Sequence, residues 1–561
     1  MPTDLEIAHS VKLRDIRSVA AEIGLTLDEI ELYGNYKAKL TSAAVDQIIA
    51  KGPHARGKLI LVTAITPTPA GEGKTTVAIG IAQALVKIGT TAIAAIREPS
   101  MGPVFGMKGG ATGGGLSQVL PMEDINLHFT GDMHAITSAN NLLAALVDNH
   151  IYRGNTLQID SRSISQQRCI DTNDRALRQT VVGLGGKPNG FPRQTGFAIT
   201  VASEVMAILC LSESLGELKQ RLGAIVIGQN LAGDPVTAAD LGAHGAMTAL
   251  LRDALKPNLV QTIEGGPAIV HGGPFGNIAH GCSSVLGTKT ALNLAQYVVT
   301  EAGFGSDLGF EKFCDIVAAP RQPHLNPDLV VLIATVRALK MHGGIKKSNL
   351  AVENVDAVRR GLPNLIRHAA NVAQIDVPFI VAINKFTTDT EAEVQTIVGF
   401  CVQQGWKFSV CNVWGEGGAG AVDLAQKLVG TIRESDANFK PIISDTGTVM
   451  DKLQTLARNV YGADEIVLGP EAAQQLEWIN HNGFGTLPVC VAKTQYSFTD
   501  DPTQRGAPSG FTLRVRSMTV SAGAGFIVAL IGDIMTMPGL PAHPAALDID
   551  INSQGNITGL F

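Results

Sequence analysis

Apolar residues along the chain alternate between short continuous runs and stretches with helical spacing. Residues 58–65 (KLILVTAI) form an unbroken apolar run with the length of a buried parallel strand. In residues 74–88, apolar side chains recur every three or four positions, as on one face of a helix. A second apolar run covers residues 91–96. This order predicts a βαβ unit, the starting element of a doubly wound sheet.

The same alternation continues along the chain. Further apolar runs at 196–210, 224–227, 329–336 and 379–383 predict strands, and the predicted helices cover 7–23, 28–33, 42–51, 350–360 and 389–404. After about residue 460, turns rich in Gly and Pro alternate with strands such as 511–520. We expect an α/β fold with a mostly parallel, doubly wound sheet core and two smaller α/β domains. The expected domains are 1–365, 366–460 and 461–561.

Composition narrows the classes of protein. The 561 residues carry a net charge of −6 and no long basic run, so a nucleic-acid partner is not expected. Every apolar stretch is interrupted well before the ~20 residues that a membrane span needs, which argues against a membrane protein. Acidic residues near the N-terminus argue against a targeting peptide. The seven Cys form no CxxC pair, which indicates free thiols in a reducing cytoplasm.

The segment 66–76 (TPTPAGEGKTT) lies between a predicted strand and a predicted helix, where a phosphate-binding loop is found. Its glycines allow backbone N–H groups to approach phosphate oxygens, Lys74 can reach the β- and γ-phosphates, and the Thr75 hydroxyl can bind Mg²⁺. Thr68 replaces the first glycine of the usual P-loop. The predicted ATP-binding residues are Thr68, Pro69, Ala70, Gly71, Glu72, Gly73, Lys74 and Thr75. The alternative is a glycine-rich turn with an exposed lysine.

Arg97 follows the second predicted strand and should face the same crevice as this loop, since parallel strands end at one edge. Its guanidinium can clamp a carboxylate or an acyl phosphate, and the alternative is a surface ion pair with Glu98. Residues 106–116 (GMKGGATGGGL) contain six glycines, which excludes a stable helix or strand. An anion-binding or mobile active-site loop is the preferred interpretation, and a flexible linker is the alternative.

Residues 384–387 (NKFT) follow another predicted strand and suggest the guanine-reading motif of GTPases. Thr387 stands where that motif has Asp, so the carboxylate that would bind the guanine amino group is missing. This argues against a GTPase.

Several segments together resemble the formate–tetrahydrofolate ligase family over essentially the whole chain. They are the glycine-rich segment 106–116 and residues 97–103 (REPSMGP), 121–132 (PMEDINLHFTGD), 271–281 (HGGPFGNIAHG), 334–344 (ATVRALKMHGG), 521–526 and 532–539. Thr112, Leu116 and Thr387 depart from the usual Ala, Tyr and Pro of the family. The chain has no room for the additional region of the trifunctional relatives, so we expect the monofunctional form.

This resemblance implies ligation of formate to tetrahydrofolate with Mg-ATP, through formyl phosphate, giving 10-formyltetrahydrofolate, ADP and phosphate. Lys74 would stabilise the transferred phosphoryl group and Arg97 the formyl phosphate. By motif position, Phe304 and Trp414 would hold the pterin between them, and Asn384 would bond to its edge.

The resemblance further implies activation by a monovalent cation such as K⁺ or NH₄⁺, for which Glu98 and Asp132 are candidate ligands. It also implies a homotetramer. Two other functions stay open from the residues alone: a regulatory P-loop NTPase, and another carboxylate-activating ligase that forms an acyl phosphate.

Overall fold

The computed structural model describes residues 2–50, 56–107, 112–318 and 323–560. Within these ranges, twelve strands form one large sheet. Ten of them follow one another in the order Ile30–Leu32, Ala38–Leu40, Asn258–Thr262, Pro267–Val270, Ala92–Ile96, Tyr297–Glu301, Lys58–Ala64, Leu329–Ala334, Phe379–Asn384 and Phe408–Cys411. All pairs from Pro267–Val270 onward are parallel, and the earlier pairs are antiparallel. Gly113–Gly114 and Ser117–Leu120 extend the sheet beside Asn258–Thr262.

Both faces of the parallel strands are buried, which explains their continuous apolar sequences. Alternate residues of Lys58–Ala64 enter two different cores. Leu59 and Leu61 pack on one face, and Ile60 and Val62 pack on the other, where apolar residues of the helix Lys74–Lys87 cover them. The helix is therefore fixed directly above the strand that precedes it.

Helices surround the large sheet and cover its faces. They are Asp4–His9, Ile16–Glu22, Ser42–Ala50, Lys74–Lys87, Met101–Phe105, Met122–Asn126, Asp132–Tyr152, Glu204–Leu211, Leu215–Gly223, His244–Leu251, Val285–Leu294, Val336–His342, Val355–Ala373, Glu391–Gln404, Val413–Glu416 and Val422–Glu434. Two π-helical stretches cover Ser306–Phe310 and Phe313–Ala318. Three small strand pairs join Arg168–Ile170 to Phe197–Ile199, Thr180–Val182 to Arg193–Thr195, and Val226–Gln229 to Pro235–Thr237.

The C-terminal part has a core and a sheet of its own. Its four strands have the order Glu465–Leu468, Thr512–Ser521, Phe526–Ile531 and Val489–Ala492, with the helices Val449–Leu456 and Pro470–His481 packed beside them. A short pair, Asp550–Ile551 with Ile557–Thr558, follows. Apolar and polar positions alternate along Thr512–Ser521, as expected for a strand with one buried face.

The predicted βαβ unit is confirmed as the strand Lys58–Ala64, the helix Lys74–Lys87 and the strand Ala92–Ile96. The prediction of a helix at 28–33 is wrong, because a 3-10 turn at Leu27–Glu29 leads into the strand Ile30–Leu32, which pairs with Ala38–Leu40.

Two longer predictions are divided in the structure. Residues 7–23 contain two helices instead of one, and the Asp15 side chain caps the second by accepting the Arg17 N–H. Residues 196–210 contain a short strand and then a helix that begins after Ser203, whose hydroxyl accepts the Met206 N–H. In both cases a capping side chain inside an apolar segment starts a new element.

The helix Val355–Ala373 runs through residue 365, where a domain boundary was expected. The strands Phe379–Asn384 and Phe408–Cys411 belong to the large sheet, so most of segment 366–460 extends that sheet. Within the described residues, no helix combines the length and apolar character needed to cross a membrane.

Candidate active site

The carboxyl ends of neighbouring parallel strands bring the predicted site residues to one edge of the large sheet. Loop 65–73 follows Lys58–Ala64, Glu301 ends the adjacent strand, and Arg97 follows the strand beyond it. Adjacent strands lie about 5 Å apart, so these three groups are close neighbours. Such an edge is where open α/β sheets bind their ligands.

Loop 65–73 has the backbone geometry of a turn that receives an anion. Gly71 and Gly73 have φ angles of 79° and 71°, in the left-handed region that favours glycine. Gly73 precedes the first turn of the helix Lys74–Lys87, whose N-terminal N–H groups carry partial positive charge. Lys74 is the first residue of this helix and is half-buried. The loop can therefore present backbone donors and a cation to phosphate oxygens.

Side chains at or just after the ends of the next two strands, Leu329–Ala334 and Phe379–Asn384, hold this loop in place. Glu72 is buried, and its carboxylate accepts the Thr68 N–H at 2.6 Å and the Thr335 hydroxyl proton. Arg337 donates to the Gly71 carbonyl. Asn384 donates from Nδ2 to the Glu72 carbonyl at 3.1 Å, and therefore supports the loop. These bonds hold the loop in one conformation, which lowers the cost of ordering it on binding.

A second network holds the start of the loop at Thr66. Its hydroxyl lies 2.8 Å from His368 Nε2 and accepts from Asn364 at 3.0 Å. His342 Nε2 lies 3.0 Å from the Thr66 carbonyl, and its Nδ1 accepts the Gly506 N–H. Burial lowers the pKa of His342 to about 4 and that of His368 to about 3, so both rings are neutral at pH 7. Gly506 belongs to the C-terminal part, which therefore supports the loop.

Glu301 connects the loop side of the site to Arg97. Both of its carboxylate oxygens lie 3.0 Å from the Thr75 hydroxyl, which donates to them. The Arg97 Nη2 lies 3.4 Å from Glu301 Oε1, and Arg97 Nη1 lies 3.4 Å from the Pro274 carbonyl. Both contacts are long for hydrogen bonds to a guanidinium. Arg97 Nε is buried and has no acceptor among the described residues.

Phe304 borders the same region. Its φ of 60° is unusual for a residue with a side chain and costs on the order of 1–3 kcal/mol. A Cβ added to Gly276 would lie 3.2 Å from the Phe304 ring, and one added to Gly303 would lie 3.3 Å from Arg97 Nη1. These glycines therefore allow Phe304 and Arg97 to approach the same small space.

Trp414 follows the strand Phe408–Cys411 and packs against the apolar cluster that contains Leu5, Leu120 and Ile263. The indole Nε1 donates to Asp4 Oδ1 at 3.2 Å, and the ring packs against Gly114 and Gly115. These contacts join Trp414 to the N-terminal segment and to the glycine-rich segment.

Phe386 is a further candidate site residue, which the sequence did not single out. It follows the strand next to that of Trp414, and the guanidinium of Arg337 stacks on its ring. A Cβ on Gly73 would lie 3.8 Å from the ring, so Phe386 borders loop 65–73. The available signal was the NKF segment after a buried strand, which the sequence related to a GTPase motif and, through Asn384, to the folate site.

Glu98 and Asp132, the predicted cation ligands, line one cavity of about 200 Å³ together with Asp171. Asp132 forms a buried ion pair with Lys39 at 2.9 Å. Glu98 Oε2 is buried and has no hydrogen-bond partner in the described part of the chain. Burial, reinforced by the charge of Asp132, raises the pKa of Glu98 well above its usual range. A cation in this cavity would stabilise the ionised form of Glu98.

The predicted glycine-rich segment 106–116 is described in part, because residues 108–111 lie outside the described residues. Gly113–Gly114 pairs with Ser117–Leu120, and the Gly115 N–H donates to Asp4 at 2.7 Å. Thr112, which departs from the family pattern, is buried and accepts from Asn126 at 3.3 Å. This segment is thus anchored to the sheet at its C-terminal end.

The residues 2–561 match the family model for formate–tetrahydrofolate ligase, which is essentially the whole chain. The chain belongs to the formate–tetrahydrofolate ligase family. Members of this family are ATP-dependent ligases that join formate to tetrahydrofolate, so this protein is an enzyme with that activity and those substrates. The resemblance found in the sequence is confirmed.

Among the described residues, no cluster of three His, Cys, Asp or Glu side chains has the arrangement of a metal-ion site. His271 is bonded to Ser284 at 2.6 Å and to the Ala254 carbonyl at 2.8 Å, as a packed loop residue. His280 is fully buried and burial lowers its pKa to about 3. Burial also lowers the pKa of His271, to about 4, so both rings are neutral at pH 7 and neither can donate a proton as an imidazolium.

Proposed function

We propose that this enzyme activates formate as formyl phosphate at the edge formed by loop 65–73, Glu301 and Arg97. A formate oxygen attacks the γ-phosphorus of ATP, and the bond from that phosphorus to the β,γ-bridging oxygen breaks to release ADP. The tetrahydrofolate nitrogen then attacks the formyl carbon, the carbon–oxygen bond to phosphate breaks, and the nitrogen loses its proton. The products are 10-formyltetrahydrofolate, ADP and phosphate.

The main support for this proposal is the position of the phosphate-type loop and Arg97. They follow two strands of the large sheet that have only one strand between them, and Arg97 has few hydrogen-bond partners. We assign loop residues 68–75 to ATP binding as a P-loop. Lys74 would stabilise charge on the transferred phosphoryl group, since it begins the helix that follows the loop. Thr68 Oγ1 is buried without a partner among the described residues, which leaves it available to a ligand.

Arg97 is the proposed formate and formyl-phosphate clamp. Its two terminal nitrogens have only long contacts, and its Nε has no acceptor in the described chain. A half-buried guanidinium whose Nε has no acceptor in the described chain favours a bidentate anion such as formate. Phe304, beside it, would close this end of the site against water.

The residues present also fit the Mg²⁺ that accompanies ATP. Thr75 donates its hydroxyl proton to Glu301, so the hydroxyl oxygen keeps lone pairs for a cation. The ion would neutralise phosphate charge, and Thr75 would help to hold it beside the loop.

The pterin of tetrahydrofolate would pack near Trp414, with Phe386 on the neighbouring strand as a further aromatic wall. Asn384 would reach the pterin edge only after its bond to the Glu72 carbonyl opens. Phe304, beside Arg97, would instead border the reacting formyl group.

The residues around Glu98 fit a monovalent cation. Oxygen donors suit K⁺ or NH₄⁺, and the orphaned carboxylate oxygen of Glu98 would gain a partner. The charge of Asp132 is already balanced by Lys39, so Glu98 and Asp171 supply the negative charge that attracts the cation. The cation would stabilise the segment that follows Arg97.

We also propose the homotetramer that the family resemblance implies, in a reducing cytoplasm. The hairpin Thr180–Val182 and Arg193–Thr195 carries three exposed apolar side chains, Val181, Leu184 and Phe191. Such a surface supports association with a second copy. All seven Cys are free and buried, which is compatible with a reducing compartment.

Positional isotope exchange tests the formyl-phosphate step. With ATP labelled with ¹⁸O in the β,γ-bridge, the label should scramble when formate is present and tetrahydrofolate is absent, because phosphorylation of formate is reversible. Arg97→Ser should slow this exchange by about 10²–10³-fold and leave ADP affinity within about threefold, as loss of one anion-stabilising donor does. Formylation without any formate-dependent exchange would exclude a free formyl phosphate.

The two alternatives give different results in the same mixture. A regulatory NTPase would hydrolyse ATP at a rate unaffected by formate and tetrahydrofolate. A different carboxylate-activating ligase would show exchange with another carboxylic acid but not with formate.

A further inference from the structure

Glu301 joins two groups that the proposed reaction uses separately. Its carboxylate is 1% exposed and accepts the hydroxyl proton of Thr75 at 3.0 Å, beside the proposed phosphate loop. The same carboxylate lies 3.4 Å from Arg97, the proposed formate clamp. One buried acidic side chain therefore links the nucleotide side of the site to the formate side.

We propose that Glu301 couples nucleotide binding to formate binding. Without nucleotide, its carboxylate holds Arg97. When Mg-ATP binds, Glu301 and Thr75 together help to hold the divalent cation. Arg97 then loses its contact with Glu301 and binds the formate carboxylate. This inference rests on the proposed function, because it assigns an order to the two ligands of that site.

Glu301 lies where a carboxylate can help to hold a metal ion beside the loop. It ends the strand Tyr297–Glu301, which is fully buried and pairs directly with the loop-bearing strand Lys58–Ala64. In phosphoryl-transfer sites, a carboxylate and the hydroxyl that follows the loop lysine share the task of holding Mg²⁺. Mg²⁺ needs only one or two carboxylates together with phosphate oxygens and water.

The contact to Arg97 is suited to being released. The 3.4 Å separation is long for a charge-assisted hydrogen bond, so little is lost when it breaks. A divalent cation attracts the carboxylate about twice as strongly as a guanidinium at the same distance. Because the strand is rigid, only the Glu301 side chain needs to turn. The freed Arg97 donors then match the two oxygens of formate.

The first test measures metal affinity, with Mn²⁺ as the probe and ADP present. Free Mn²⁺ is followed by its paramagnetic resonance signal. Glu301→Gln should weaken Mn²⁺ binding at least tenfold, as loss of a carboxylate near a metal does. Thr75→Val should weaken it too, and the double variant should lose less than the sum of the two free-energy changes. Equal Mn²⁺ affinity in wild type and Glu301→Gln would overturn the proposal.

Asp328→Asn is the matched control, because it also removes one carboxylate from a partly buried ion pair. Asp328 directly precedes the strand Leu329–Ala334 and pairs at 3.0 Å with Lys58, at the end of the loop-bearing strand that lies away from loop 65–73. It should leave Mn²⁺ affinity unchanged. If Glu301→Gln does not fold, Glu301→Asp retains the charge, shortens the side chain, and should also weaken Mn²⁺ binding.

The second test measures formate binding through the relaxation of ¹³C-formate. In wild type, formate should bind measurably only with Mg-ADP. In Glu301→Gln it should bind without Mg-ADP, because Arg97 is no longer held, and Arg97→Ser should abolish binding in both backgrounds. An unchanged requirement for Mg-ADP in Glu301→Gln would overturn the coupling. Neither test depends on product formation, so failure to make 10-formyltetrahydrofolate would count against the proposed function alone.

Discussion

The guanidinium carbon of Arg337 lies 3.5 Å from the centroid of the Phe386 ring. Arg337 also donates to the Gly71 carbonyl, so the stacked pair connects the end of one strand to loop 65–73. Burial lowers the pKa of Arg337, although the group stays protonated at pH 7. The pair is therefore a fixed wall beside loop 65–73.

Arg337→Ala should raise KM for ATP by about 5–30-fold, because a stacked, hydrogen-bonded guanidinium contributes roughly 1–2 kcal/mol. Arg337→Lys should recover only part of this, since a lysine keeps the charge but loses the planar fork. Steady-state kinetics with saturating formate and tetrahydrofolate measure it. Arg359→Ala, on the exposed face of the next helix, is the control. An unchanged KM for ATP in Arg337→Ala would contradict this role.

Lys74→Ala should lower kcat by about 10²–10³-fold, because a charge aimed at the transferred phosphoryl group is lost. Formyl-transfer rates at saturating ATP measure the effect, and ADP affinity by calorimetry should fall less than kcat. Lys87→Ala removes a lysine from the other end of the same helix, where it pairs with Glu264 at 3.0 Å. That variant should retain activity, and equal losses in both would argue against a catalytic Lys74.

Tetrahydrofolate should quench the fluorescence of Trp414, because the pterin is expected to stack near it. Trp414→Phe should lose most of the quenching. Trp406→Phe and Trp478→Phe are matched controls, since Trp406 packs against Phe400 and Trp478 is bonded to Gly233. Quenching that disappears only in Trp406→Phe or Trp478→Phe would move the folate site elsewhere.

Activation by K⁺ should strengthen as the pH rises. Burial raises the pKa of Glu98, so a proton competes with the cation for the carboxylate, and removal of that proton favours cation binding. Glu98→Gln should abolish both the activation and its pH dependence. Activity titrated with KCl between pH 6 and 9 measures this, with Asp124→Asn as the control for an exposed carboxylate. Normal K⁺ activation in Glu98→Gln would exclude this cavity as the cation site.

Glu204→Gln should become more stable than wild type as the pH rises. Glu204 accepts the N–H groups of Gly523 and Ala524, and burial raises its pKa to about 7 from 4.5. Because the folded-state pKa is raised, protonated Glu204 favours the fold, and this contribution disappears as the pH rises from 4.5 through 7. The variant should gain at most about 3 kcal/mol at pH 8 relative to pH 4. Urea unfolding at the two pH values measures it, and an equal difference at both would contradict the assignment.

The sequence predicted the central βαβ unit because its strands are buried on both faces and its helix has one apolar face. It did not predict where the sheet continues, since pairing of Phe379–Asn384 with Leu329–Ala334 depends on contacts between distant segments. The boundary expected at residue 365 lies inside the helix Val355–Ala373, because the sequence predicted a helix here only over residues 350–360. Local patterns identify elements, whereas sheet order follows from the whole fold.

The candidate site, too, was predicted only in part. Lys74, Thr75 and Arg97 follow from strand ends, which the sequence indicates. Glu301 could not be singled out, because an acidic residue at the end of an apolar run becomes informative only when the strand order places it beside Thr75. The support that Gly506 gives to His342 likewise joins residues that are far apart in the chain, at 164 residues.

That last contact has a consequence for how the enzyme is made. The strand Lys58–Ala64 that precedes loop 65–73 pairs with Tyr297–Glu301 and Leu329–Ala334, which are synthesised much later. The backbone of Gly506, which holds His342 and Asn364 beside Thr66, leaves the ribosome later still. A nascent or truncated chain that stops before Gly506 can therefore contain the loop and its neighbouring strands without this support.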